Sequence, residues 1–275
     1  MWSEQHIGPE RKRHEKLMSR EYMQQLYPIL EFDPTPEAII EPRRVIRAKD
    51  VPEHAVVCFF QDVIAQLCAD GRARMIARHR SEIGIHPLYE IDVNGRRLAV
   101  FHPGVGAPLA AAMLEEVIAR GCKKFIACGG AGVLDKSVAA GHLVVPSAAI
   151  RDEGTSYHYL PPGREVSASP EGVAAIEAVL QAHQIPYIVA KTWTTDGIYR
   201  ETPAKLQLRR SEGCLTVEME AAAFFAVACF RGVLFAQILY GGDDLSGPEW
   251  DSRQWTTHTI RQELFWLAAE ACLAL

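Results

Sequence analysis

From Val51 to the C-terminus the sequence keeps switching its hydrophobic period, and this alternation restricts the fold more than any other feature. Short continuous apolar runs, Ala55–Phe60 and Val233–Tyr240, suit strands buried on both faces. Lys124–Cys128, His142–Pro146, Tyr187–Thr192 and Cys214–Val217 read the same way. Between them apolar residues recur at helical spacing. Leu109, Met113 and Val117 share one face of a helix over 107–120, and Gly121 stands where a glycine C-cap belongs. Ser169-Pro170-Glu171 has the form of a helix start, with helices also over 62–69, 203–210 and 221–230. Ile260, Leu264, Leu267 and Ala271 line one face of a C-terminal helix. Asn94-Gly95, between Leu88–Val93 and Leu98–Phe101, predicts a hairpin. Strands alternating with helices imply an α/β fold with a parallel or mixed sheet covered on both faces. Ligands then belong in loops beyond the carboxyl ends of the strands. Those loops are 102–106, 129–132, 194–201, 218–220 and 241–246.

A chain of 275 residues, 48% hydrophobic and 23% charged, has the material for a sizeable core. A net charge of -5 without a long run of one sign argues against a nucleic-acid partner. No apolar stretch is long enough to span a membrane, and the polar, basic start lacks the apolar centre of a secretion signal. Seven cysteines, mostly in apolar runs and without C-x-x-C, suit buried thiols in a reducing compartment; the expectation is a cytoplasmic protein without a metal site. Residues 1–50 stand apart from 51–275: charged, then punctuated by Pro28, Pro34, Pro36 and Pro42. They read as a short helix near 14–26 and an extended arm, packed on its own domain or reaching a neighbouring subunit.

Several loops carry residues capable of chemistry. Gly104-x-Gly106 and Gly129-Gly130-Ala131-Gly132 follow apolar strands. Such glycines either make a tight turn or let backbone N–H groups approach an anion or a ring. Neither matches G-x-G-x-x-G, and no phosphate-loop lysine follows, which disfavours a dinucleotide site. Val217-Glu218-Met219-Glu220 opens an apolar helix. Its acids either complement the helix dipole or, given apolar flanks, turn a carboxylate inward, where it needs hydrogen-bond donors. The two adjacent hydroxyls of a ribose are such donors. Asp243-Asp244 ends a strand; the pair either forms a turn or points one carboxylate into a cleft. Residues 152–159 form a polar, aromatic loop in which His158 is a weak base candidate, and Trp250–Trp255 reads as packing or subunit contact.

Over residues 50–275 these segments, in order, resemble the nucleoside phosphorylase family, which includes purine nucleoside phosphorylases, uridine phosphorylases and methylthioadenosine nucleosidases. The VEMEAA segment at 217–222 is the most specific; FHPGVGAP, CGGAG, DEGTSYHY and TTDGIY fall in matching order. The resemblance implies a three-layer α/β/α sandwich around a mixed, partly barrelled sheet. It implies cleavage of the bond between pentose and base, with phosphate as co-substrate, no cofactor and no metal, in a homo-oligomer: a dimer, trimer or hexamer. By the same resemblance Glu220 binds the ribose hydroxyls, Met219 packs under the sugar, and Glu218 accompanies them. Ile198 and Tyr199 line the base pocket, and Gly104, Gly106, Gly129, Gly130 and Ala131 bring backbone to the ligand. Asp243 hydrogen-bonds or protonates a purine, with Asp244 the fallback.

The chain also departs from that family. A Gly-Asp-Pro-x-x-Arg turn is replaced by Phe60-Gln61-Asp62-Val63-Ile64-Ala65, and an arginine before the glycine turn by Ala127. The serine or threonine of that turn is Gly130, and a partner-chain arginine falls near Gly84. The nucleosidases' glutamate near position 65 and the uridine enzymes' Gln-x-Arg after Tyr199 are also missing. Fixed guanidinium groups grip phosphate well, so Arg200, His86, His102 and Arg151 become the substitutes to inspect. The leading expectation is phosphorolysis of a purine nucleoside. The alternatives are a nucleosidase using water and a nucleoside-binding protein of low activity.

Overall fold

The computed structural model describes residues 24–48, 50–253 and 258–275, with nothing of the side chains of 258 and 259. Ten strands form along with the helices, eight where the sequence predicts strands and two in addition, Ala73–Ser81 and Glu165–Ser167. They are β1 (His54–Cys58), β2 (Ala73–Ser81), β3 (Gly84–Val93), β4 (Arg96–Phe101), β5 (Lys124–Val133), β6 (Leu143–Asp152), β7 (Glu165–Ser167), β8 (Tyr187–Thr195), β9 (Cys214–Glu218) and β10 (Leu234–Asp244). The helices are α1 (Pro42–Val45), α2 (Gln61–Ala69), α3 (Ala107–Arg120), α4 (Pro170–Ala182), α5 (Pro203–Ser211), α6 (Ala221–Arg231) and α7 (His258–Ala274).

The strands form one mixed sheet in the order β10-β6-β8-β9-β5-β1-β4-β3-β2, and β10 pairs again with β5. That second pairing closes β10, β6, β8, β9 and β5 into a barrel, with β1, β4, β3 and β2 as a wing. The wing ends on β2, whose Arg74, Arg78 and Arg80 face solvent. The hairpin turn is Asn94 (φ 53°) and Gly95 (φ 80°), the left-handed pair that matches strand twist. Helices cover both faces. Successive residues of a strand point to opposite sides; Phe235 meets Phe224 and Phe225 of α6, whereas Ala236 lies against Gly172 of α4. The expected sandwich around a partly barrelled sheet is what forms.

Two sequence readings need correction. Gly129–Gly132 is not a turn: β5 runs through it to Val133, because β10 and β9 bind its backbone on either side. The second is β2, which the sequence reading passed over; ARMIARHRS carries three arginines and no clean alternation. The helix near 14–26 lies outside the described residues, except 24–26, which are not helical. Residues 33–46 lie along α3 and α6 of the same chain, where Arg231 donates to the Pro36 carbonyl at 3.2 Å and pairs with Glu41 and Glu115. Among the described residues no helix is long and apolar enough to cross a membrane. The seven cysteines are free thiols, five of them buried.

Candidate active site

The loops at the carboxyl ends of β4, β5, β9 and β10 converge, and β9 links two groups of residues there. In the first, Glu220 stands just before the first residue of α6 and is only 5% exposed. The Gly106 N–H donates to Glu220 Oε1 at 2.6 Å. Gly106 has φ 90° and Gly104 φ 84°, and a side chain at Gly104 would drive into Leu109, so this loop is built for glycine. Glu218 fixes the approach: its Oε1 accepts from Thr194 Oγ1 at 2.6 Å, and its Oε2 from the N–H groups of Glu220 and Ala221 at 2.7 and 2.6 Å. The dipole-capping and inward-facing readings of this segment thus both hold, one for each glutamate. Burial raises both carboxyls well above the ordinary range, and for Glu220 the neighbouring Glu218 charge adds to it. Met219, between them, is half-buried.

Across from Glu220, Phe59 leaves β1 and lays its ring against Gly129, 3.2 Å from where a Cβ would stand. The same ring meets His102 edge-on and packs near Phe224. His102 Nδ1 accepts the Gly104 N–H at 3.0 Å, and burial lowers the pKa of the ring, so the imidazole is neutral here. Gly130 is exposed and could take no side chain, because the Tyr240 ring occupies that space; Ala131 is buried.

The second group lies beside the same carboxyl end of β9, on the strand paired with it. Gly132 pairs with Val217, and its missing side chain makes room for Leu245, Val217 and the Asp243 carboxylate. Asp243 Oδ2 accepts the Trp250 indole N–H at 2.7 Å. Asp244 points elsewhere, to Arg253 and to the Ser246 N–H. Glu201, just after the Ile198–Arg200 turn, feels the Asp243 charge; burial first and that charge second push its carboxyl up to about 7. Ile198 and Tyr199 are 55% and 94% exposed at this end.

Of the cations the sequence offers, Arg151 spends its donors on Ser156, Pro161 and Leu160, and His86 is bonded to Ser81. Arg200 is exposed. His158 is not brought to Glu220: it lines a separate cavity of about 420 Å³ with Tyr159, Phe230 and Arg231. Glu201, Phe59 and Trp250 were not singled out from sequence for this site. Only Trp250 carried a signal, as an aromatic seven residues beyond Asp243.

Gathered at these carboxyl ends are a buried carboxylate that accepts from a backbone N–H, the glycine loop that supplies it, and a second acid beside Gly132. The chain belongs to the phosphorylase superfamily, whose sequence pattern it matches over residues 53–272. It is 30% identical over 200 residues to the guanosine phosphorylase of Halorubrum lacusprofundi, covering 70% of this chain and 79% of that one. Over 127 residues it is 30% identical to the uridine phosphorylase of Thermococcus kodakarensis, covering 46% of this chain and 44% of that protein. Its fold is that of Toxoplasma gondii purine nucleoside phosphorylase, solved with immucillin-H: TM-score 0.72 at 20% identity, covering 86% of this chain and 96% of the other.

Proposed function

We propose that the protein is a nucleoside phosphorylase. It cleaves the N-glycosidic bond of a purine nucleoside with phosphate, giving free base and pentose 1-phosphate. The observation that carries this reading is Glu220: a buried carboxylate at a helix start, aimed at the glycine loop and backed by a second glutamate whose bonds are all made. The ribose hydroxyls donate to Glu220, which orients the sugar and offsets the positive charge that develops as the C1′–N bond breaks. Met219 lies under the sugar. In the second group Asp243 bonds the base, and Glu201, holding a proton near neutrality, keeps that corner able to make the base a better leaving group. Phosphate adds to C1′ on the face opposite the base. The guanosine-cleaving relative and the acid at 243 support a purine over uracil.

Because burial and Glu218 raise Glu220, the empty site retains a proton that ribose hydroxyls displace. Nucleoside binding should therefore release a proton and tighten as pH rises through the raised value, measured by calorimetry in buffers of different ionisation enthalpy. The deciding experiment is base release from guanosine, inosine and uridine with and without phosphate. Phosphate-dependent release with pentose 1-phosphate as product is expected. Equal rates without phosphate, with free ribose, would make the protein a hydrolase.

A further inference from the structure

The segment after β10 is a closed loop. Asp244 and Asp251 exchange both backbone hydrogen bonds, N to O at 2.7 and 3.0 Å, so residues 245–250 leave and return at one point. Both roots are pinned. On the near side, Leu245 sits against Gly132 and Val217, and its N–H donates to the Val133 carbonyl at 2.9 Å. On the far side, Arg253 pairs with Asp244 and donates to the Val138 carbonyl at 3.1 Å. The loop thereby holds Trp250 beside Asp243 with the indole N–H on Oδ2, and yet leaves that residue 63% exposed. A tryptophan so exposed gains little from burial, so its position is explained by what its ring offers next to the acid. The indole is a donor only. It occupies one carboxylate oxygen and leaves Oδ1, on the Gly132 side, for another donor.

We propose that Trp250 is the base-recognition residue of this site: a purine places an N–H on Asp243 and stacks its ring on the indole. This rests on the nucleoside-cleaving reading above and names the group that selects the base within it. Stacking on a flat aromatic scales with the ring presented, so a bicyclic base gains more than a monocyclic one. Contact with the base in both ground and transition state changes KM and leaves kcat in place. The same residue reports on itself, because an indole that gains a stacked base and shares its carboxylate changes its fluorescence.

The test uses the full chain with guanosine and uridine as probes and the variants Trp250→Ala and Trp250→Phe. Trp250→Ala should raise KM for guanosine about ten-fold or more, the range expected for one stacked base, with a smaller rise for uridine and kcat within about two-fold. Trp250→Phe keeps a ring and should recover most of the guanosine KM. Guanosine should change the fluorescence of the wild type, and that change should vanish in Trp250→Phe. Variants that melt with the wild type yet keep its guanosine KM and its fluorescence response overturn the proposal and leave the nucleoside reading standing. A wild type that neither cleaves nor is stabilised by either nucleoside removes both.

Discussion

The two groups of residues around Glu220 and Asp243 are built on opposite plans. At Glu220 nearly everything is buried and bonded: Glu218 is held by Thr194 and two N–H groups, Gly104 has no room for a side chain, and Gly106 holds a positive φ that favours glycine. At Asp243 the acid is half-buried, its neighbours Ile198, Tyr199 and Trp250 are exposed, and one indole bond holds the carboxylate. Ribose is common to all ribonucleosides, so the part proposed to hold it can be rigid. Bases differ, and the part that meets them sits on surface loops, where substitutions cost little stability. In the proposed reading, holding the sugar and choosing the base thus fall to different residues beyond one end of β9.

This contrast can be broken by substitution, starting with the most severe. Glu220→Ala should lower kcat/KM for every nucleoside by about 10³-fold, the loss expected for two hydrogen bonds to a charged group. Steady-state assays on guanosine and uridine would check it; a loss confined to one base would show that the two groups are not separate. Asp243→Asn should cost about 10²-fold for guanosine, as for loss of a hydrogen bond to a charged group, and clearly less for uridine. An equal loss for both bases would place Asp243 with the sugar instead. Glu201→Gln should have the smallest effect. Its carboxyl, raised to about 7, is protonated below that pH and charged above, so wild-type kcat at saturating guanosine should fall several-fold as pH rises through about 7. The variant should lose that limb in a pH–rate profile.

The rigid group was the more legible in the sequence. Glu218-Met219-Glu220 and the two loop glycines are local patterns whose residue types announce buried acid and close backbone approach. The other group depends on pairings that no local pattern carries. Asp243 meets Gly132 because β10 runs parallel to β5, and Trp250 meets Asp243 because Asp244 pairs with Asp251. The same cause hid the barrel: glycines at 129–132 suggest a turn until both neighbouring strands are known. Choosing Asp243 over Asp244 also needed Arg253, nine residues on, to claim the second aspartate.

Closing five strands on themselves has an outcome far from the cleft. A ring of strands offers no open rim to a stranger, whereas the wing that trails from it must stop somewhere, and it stops at β2. The guanidinium groups of Arg74, Arg78 and Arg80 stand along that last strand. Two copies approaching rim to rim would bring like charges together, which discourages stacking into fibres. Exchanging the three for threonine would keep the strand and remove its guard, so this outlying stretch bears on whether the protein stays dispersed when concentrated.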